Sequence, residues 1–315
     1  MAAPTGTFKT YEAVGNREDL SDFIYNISPT DCPFMSAVGS STAKSTKHEW
    51  QIDALADADD TNAQIEGDDV TGTTSSPTTR EHNYCQISRK DVVVSNTQNY
   101  VHKAGREHEM EYQLLKRGRE LKRDMEKILT GNQGYVVGNS TTARKLRSLE
   151  SWLSTNSNRG ATGADAPSAT AGATDGTQRA ITETLLKDVI QSCYAEGATP
   201  QILMVGPANK QNVSGFTGRS SAREIVKDEK IQAAAHLYAS DFGDIRVVPN
   251  RFQRERSAFV LDPEYASIAY LRKFQRKDLA TTGDATKKFI VAEYTLCMKN
   301  EAAHGVIADL TTTVA

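Results

Sequence analysis

The chain is most informative first in what it lacks. None of its 315 residues fall in a run near the ~20 consecutive apolar side chains that cross a bilayer. The opening MAAPTGTFKTYEAVGNRED has neither a basic n-region nor an apolar core, so no membrane or export role is expected and folding in cytoplasm is. Cysteine is scarce: Cys32, Cys85, Cys193 and Cys297 lie far apart without a CxxC pair. That spacing excludes a zinc ribbon and, in a reducing compartment, a disulfide framework, leaving small buried apolar residues. A cationic surplus is missing too. Lys plus Arg number 37 against 40 Asp plus Glu, for a net charge of −3 and a pI near 6.1, which excludes a dedicated nucleic-acid binder and makes any DNA contact local or weak.

What is present is the composition of a globular protein, 38% hydrophobic and 24% charged. A chain of this length forms one large or two ordinary domains and hides roughly three quarters of its extended surface on folding.

Motifs for catalysis each fail on the residue that the mechanism needs. GSSTAKS, from Gly39 to Ser45, is one residue short of a phosphate loop and has Ala43 where glycine must let backbone amides curl. DADDTN, from Asp57, resembles the opening of a calcium loop, yet Asn62 takes the place of the turn glycine and Asp68 that of the bidentate glutamate. His102 and His108 are six apart, and His48, His82, His236 and His304 are isolated. No zincin ligand set, GxSxG elbow or nominated nucleophile remains, so no catalytic residue, metal or cofactor is expected. The triplets at Asn26, Asn139 and Asn212 match the glycosylation pattern but lack an export context.

The strongest feature is LADADDTNAQIEGDDV, residues 55–70. Asp53, Asp57, Asp59, Asp60, Glu66, Asp68 and Asp69 precede the next cation, Arg80. On one side, His48, Trp50 and Ile52 alternate with Glu49, Gln51 and Asp53, the period of a half-buried strand. On the other, alternation resumes over 79–94. A long two-stranded ribbon with an anionic, flexible tip is predicted. Residues 1–45 read as an arm, its apolar clusters around Phe8, Tyr11, Phe23, Ile24 and Phe34 stopped by Pro29 and Pro33; such a segment needs another surface to lie on.

Met110, Leu114, Leu121, Met125 and Ile128 recur at helical spacing and predict a long helix over 101–129, ended by Gly131, with Gly118 in the gap of the stripe. Residues 154–180 are rich in Ser, Thr, Ala and Gly and predict a flexible surface loop or linker. A second helix around Ile181–Cys193, a buried strand at 202–205 and strands at 245–248, 258–261, 267–271 and 288–299 predict a mixed α/β unit; on the last, Ile290, Ala292, Tyr294, Leu296 and Met298 share a face.

This order of parts suits subunit tiling better than an active site. The stretches TYEAVGNREDLSDFIYNISPTDCPFMSAVG (10–39), HEWQIDAL (48–55), GNSTTARKLRSLESWL (138–153), VVPNRFQRER (247–256) and EYTLCMKNEAAHGVIADLTT (293–312) resemble the major capsid proteins of tailed bacteriophages with the Hong Kong 97 (HK97) fold, in particular a podophage-type branch. The resemblance spans nearly the whole length, and 247–256 and 300–310 are its most specific runs. It implies an α+β, HK97-like fold with an N-terminal arm (1–45), an extended loop (46–95) and a peripheral domain (96–180) with a spine helix at 100–130 and a flexible loop at 154–180. An axial domain (181–245) and closing strands that complete the peripheral domain (246–315) follow. It also implies hexamers and pentamers in an icosahedral head around double-stranded phage DNA, with scaffolding, portal and decoration proteins as partners, assembly in host cytoplasm and a final place in the virion. Because the chain opens at the arm, either a separate scaffold or an earlier cleavage is expected. An encapsulin-like nanocompartment shell or another self-assembling subunit is the alternative.

The resemblance gives the acidic tip a partner. Asp57, Asp59, Asp60, Asp68 and Asp69 are expected to lie over a neighbour's basic residues: Lys116, Arg117, Arg119, Lys122 and Arg123, or Arg272, Lys273, Arg276 and Lys277. On the interior, Lys9 and Arg106 are expected to touch DNA loosely, since phosphate neutralisation needs clustered cations.

Overall fold

The computed structural model describes residues 28–56, 58–67, 69, 72, 77–103, 108–216, 237–281 and 283–313. In chain order its elements are α1 (Pro33–Ala37), β1 (Gly39–Thr42), β2 (Lys47–Ile52), β3 (Thr79–Tyr84), β4 (Gln86–Ser95), α2 (Asn96–Tyr100), α3 (Glu109–Leu129), α4 (Leu149–Trp152), β5 (Ser157–Asn158), α5 (Glu183–Ala195), β6 (Ile202–Val205), α6 (Pro207–Ser214), β7 (Leu237–Ser240), β8 (Gly243–Pro249), β9 (Ala258–Leu261), β10 (Ala266–Asp278), β11 (Ala285–Met298) and β12 (Gly305–Ile307).

The apolar stripe of α3 sets the layout. Met110 and Leu114 pack on Val92, Val94 and Ile290, while Leu121, Met125 and Leu129 enter the main core. A fully buried Leu or Met contributes roughly 1.5–3 kcal/mol, so this face alone holds the helix down. A Cβ on Gly118 would stand 3.7 Å from Ile290 Cδ1, an ordinary contact. The helix expected over 100–130 is shorter than predicted. Ser95 caps the separate α2, and Val101 is extended at ψ 136°, so α3 begins where the apolar stripe begins.

The sheet under α3 has the order β1-β10-β11-β4. The alternation on β11 points Ile290, Ala292, Tyr294, Leu296 and Met298 into the core. The predicted ribbon is shorter than its sequence suggested. β2 pairs with β3 only from Lys47↔Tyr84 to Ile52↔Thr79, and β4 instead pairs with β11 from Gln86 to Ser95. The edge of β11 runs the full length of β4 and lets Val92 and Val94 be buried on α3; six-residue β2 offers neither.

A second sheet, β5-β12-β9-β6-β8-β7, is covered on one face by α5. Leu186, Val189, Ile190 and Cys193 meet Leu203, Val205, Val260 and Ile307 there, and on the other face Ile202, Met204, Phe259 and Val306 join the core of α3. A strand buried on both faces explains the unbroken ILMV run of β6. Gly305 is required here, because a Cβ would come within 2.3 Å of Val189 Cγ1. The division expected after residue 245 falls inside β8, and strands from beyond it, β9 and β12, belong to this same sheet.

Two expected loose segments are fixed. Within 28–45, Phe34, Val38 and Ala43 are buried, and β1 runs parallel to β10 from Gly39↔Ser267 to Thr42↔Tyr270. Residues 33–43, counted with the arm from sequence, therefore pack into the core and the first sheet, and residues 1–27 lie outside the described residues. The segment 154–180 wraps Asp309, which adopts the left-handed region at φ 59° that Asp tolerates. Its carboxylate accepts from the amides of Gly160 (3.1 Å) and Gly176 (2.7 Å). A Cβ on Gly160 would collide with Thr177 O at 2.2 Å, so the glycines there serve close backbone approach.

Candidate inter-subunit surfaces

The ribbon is anchored at its base by aromatic contacts. Trp50 stands 5.6 Å from Trp152 and 5.8 Å from His48, and Arg147 lies over Trp152 at 4.2 Å. Past Ile52 the described tip residues are all exposed, with Leu55 98% and Ile65 79% accessible. Asp59 accepts from Thr61 N (2.8 Å) and Oγ1 (2.6 Å), which holds its carboxyl below the usual range. Among the described residues neither Asp59 nor Asp60 has an ion-pair partner. Asp69 is exposed, and Asp57 and Asp68 lie outside the described residues, as do Lys9, Arg106 and His236.

The two predicted basic patches form one face. Lys122 Nζ sits 5.9 Å over the Phe274 ring, which joins the outer face of α3 to the distal half of β10. Not every cation is available. Arg117 pairs with Glu120 at 2.6 Å, Arg123 stacks over Phe252 at 5.1 Å, and Arg272 is held at 2.7 Å by Glu293, which also binds Arg144 at 2.5 Å. Lys116, Arg119, Lys122, Lys273, Arg276 and Lys277 are exposed. The neighbouring carboxylates are engaged elsewhere, Asp124 by Lys90 (2.6 Å) and Asp278 by Lys288 (3.0 Å). Among the described residues, exposed cations without an ion pair on this face thus share the chain with exposed carboxylates, Asp59 and Asp60, that have none.

Sequence reasoning missed the polar junction under these surfaces. Glu126, fully buried on α3, accepts from Phe34 N (2.7 Å), Met35 N (2.9 Å) and Asn250 Nδ2 (2.7 Å). It thereby caps α1 from a distance. Burial pushes its carboxyl up, and the three donors pull it partly back. Glu150, also buried, binds Arg254 (3.1 Å), Arg159 (3.4 Å) and Ser257 Oγ (2.8 Å). Arg254 also grips Asp175, and Arg256 reaches Asp309 at 2.9 Å. Gln253 donates to Ser257 O at 2.8 Å. Residues 250–256 thus tie α1, the spine helix, the 154–180 segment and the C-terminal residue Asp309 together. A polar run with so many charges reads as surface; only its adjacency to the buried VVP of β8 hinted otherwise.

Cys85, Cys193 and Cys297 are buried, while Cys32 is half-buried. Desolvation pushes the thiols of Cys32 and Cys85 up to about 11 and that of Cys193 to about 12, so they stay protonated and unreactive near neutrality. His304 is buried and its imidazole is pushed down to about 4 by desolvation; its Nδ1 accepts from Asp262 N at 3.2 Å, the role of a neutral packing residue.

Residues 3–311 match the family model described as the SU10 major capsid protein. The major capsid protein of Escherichia phage Phieco32 is 28% identical over 346 aligned positions, covering 98% of this chain and 97% of that one. Among solved structures, the capsid of a native GTA particle computed with C5 symmetry aligns at TM-score 0.65 and 10% identity, over 96% of this chain and 98% of its own. A structure of Gordonia phage Cozz aligns at 0.61 and 9% identity, over 97% and 96%. One of phage G gp27 major capsid proteins with gp26 decoration proteins aligns at 0.57 and 9% identity, over 99% and 100%.

Proposed function

The chain belongs to the SU10 major capsid protein family and has the HK97-like fold, and from that premise we propose that its hexamers and pentamers close into an icosahedral head by laying each acidic ribbon over the next copy's basic face. One observation carries this reading: among the described residues Asp59 and Asp60 are exposed without an ion pair beside the exposed Leu55 and Ile65, while Lys116, Arg119, Lys122, Lys273, Arg276 and Lys277 are exposed without an ion pair elsewhere on the same protomer. Two different surfaces that match make a head-to-tail contact, which closes into rings.

Each exposed ion pair contributes only about 0.2–1 kcal/mol. Repetition around a ring makes that enough to set register, and complementary charge speeds encounter and rejects wrong partners. The six-stranded unit is assigned to the capsomer centre and the α3 sheet to the periphery. The concave wall of the shell meets packaged double-stranded DNA loosely, in keeping with a net charge of −3. Scaffolding and portal proteins, and a decoration protein of the kind found with phage G gp27, are the proposed partners, and assembly is assigned to the host cytoplasm.

Electron microscopy of the expressed protein tests the reading, with capsomers or closed shells expected. The triple variant Asp57→Asn, Asp59→Asn, Asp60→Asn is expected to lower particle yield and to flatten its dependence on salt. Unchanged yield and unchanged salt response would remove the ribbon assignment.

A further inference from the structure

We propose that the ribbon tip of a neighbouring copy is seated in a depression at the start of β4, where Ile65 enters an apolar floor and Glu66 pairs with Arg144. The depression measures about 410 Å³, at the low end of the roughly 300–1,000 Å³ of small-ligand sites, so it takes a side chain or two. Ile87, Val137 and Ala143 form its apolar part; Ile87 is 48% and Val137 54% accessible. Asn139 and Thr142 close one rim, and their turn satisfies itself: Asn139 N donates to Thr142 O at 2.9 Å, and Asn139 Oδ1 accepts from Thr142 N at 2.7 Å. Gly138, at φ 77°, leaves room for the stem of Arg144, whose Cγ would stand 2.5 Å from a Cβ there.

Charge at this depression is unbalanced. Arg144 (2.5 Å) and Arg272 (2.7 Å) share the one buried carboxylate of Glu293, and neither has a second carboxylate among the described residues. Lys145, the next residue, is exposed and has no ion pair there either. A floor of exposed aliphatic groups beside a surplus guanidinium suits an aliphatic side chain with a carboxylate next to it.

The same chain holds that combination. Ile65 is 79% accessible, Glu66 is exposed without an ion pair among the described residues, and Gly67 turns the backbone at φ 84°, which sets the two at a corner. Leu55, also exposed at the tip, is flanked by Ala54 and Ala56 and lacks the adjacent charge. Both halves of the match stand open on the single protomer, so the contact forms between copies. The depression is continuous with the proposed basic face, since Arg272 precedes Lys273 on β10. This seat rests on the head-to-tail reading and names the pocket that fixes its register.

Cross-linking of the full-length protein tests the seat. Ile65→Cys with Val137→Cys, both exposed positions, is expected to give a ladder of covalent oligomers on a denaturing gel when the assembled protein meets a short bis-maleimide. Either single variant, which keeps the native cysteines, should give none. Ile65→Ser is expected to raise the concentration at which capsomers half-dissociate by about tenfold, from the apolar area it no longer buries, while leaving the thermal midpoint of the lone protomer in place. Ile65→Leu should keep wild-type association. Normal capsomers without the 65–137 ladder, or a ladder from Ile65→Cys with Leu115→Cys in its place, would overturn the seat and leave the head-to-tail reading standing. A 65–137 cross-link closed within one chain would overturn the seat between copies. Wild-type protein that never forms oligomers would overturn the head-to-tail reading and the seat with it.

Discussion

Removing the carboxylate of Glu126 is expected to be among the most damaging single changes outside the apolar core. In the Glu126→Ala variant, Phe34 N, Met35 N and Asn250 Nδ2 lose their acceptor together. A hydrogen bond to a charged group contributes about 1.5–3 kcal/mol, so three sum to roughly 4.5–9 kcal/mol. Met35 is half-buried and water can reach its amide, and the emptied site relaxes, which brings the expectation down to about 4–6 kcal/mol. For a chain of this size that lowers the thermal midpoint by ~10 °C or more. Glu126→Gln keeps the shape and one acceptor oxygen but turns an amide donor towards another donor, so about 1–3 kcal/mol is expected. Asn250→Ala removes one bond of the three and should cost about 1–2 kcal/mol. Asn250→Asp is more diagnostic, because it sets two carboxylates side by side in a dry site. At pH 8 it should be less stable than Asn250→Ala, and the gap should narrow towards pH 5 as the pair takes up a proton. Urea unfolding at both pH values, with exchange of the 33–38 amides as a local probe, measures all of this. A Glu126→Ala protein melting within about 2 °C of wild type, or an Asn250→Asp protein with no added pH dependence, would refute the account of the junction.

Other expectations concern the interior. His304, with its imidazole pushed down to about 4, has a lower affinity for protons folded than unfolded, where about 6.5 is ordinary. Its contribution is therefore intact above pH 6.5 and is lost as pH falls towards 4, by about 2 kcal/mol between pH 8 and pH 5; unfolding of His304→Gln across that range should show a correspondingly shallower decline. Gly118→Ala should stabilise by up to about 1 kcal/mol, since the added methyl meets only Ile290 at 3.7 Å and the helix gains propensity. Gly305→Ala should do the opposite and cost roughly 1–3 kcal/mol, because Val189 stands 2.3 Å from the new Cβ; denaturation midpoints of the pair check both signs.

Local periodicity carried much of the fold. The stripe of α3, the alternation of β11, the unbroken ILMV of β6 and the 258–261 strand each state in one segment which side is buried, and burial then forms the element. The acidic run from Asp53 to Asp69 was legible as charge without counter-charge along the sequence, and its described members are exposed. Other features needed partners far away in the chain. β4 reads as the return of a ribbon, and only the longer edge of β11 takes it from β2. The Ser/Thr/Ala/Gly segment reads as loose, and only Asp309, more than a hundred residues downstream, explains its glycines as points of close approach. The charges of 250–256 read as surface until Glu126, Glu150 and Asp309 are brought around them. Lys122 over Phe274 merges two patches that lie some 150 residues apart in sequence. Sequence alone determined which segments are amphipathic and where charge is unbalanced, because those are properties of neighbours along the chain. Tertiary structure alone decided which edges pair and which of the described charges are engaged within the chain, because a buried polar group or a strand edge is settled only by what distant residues bring to it.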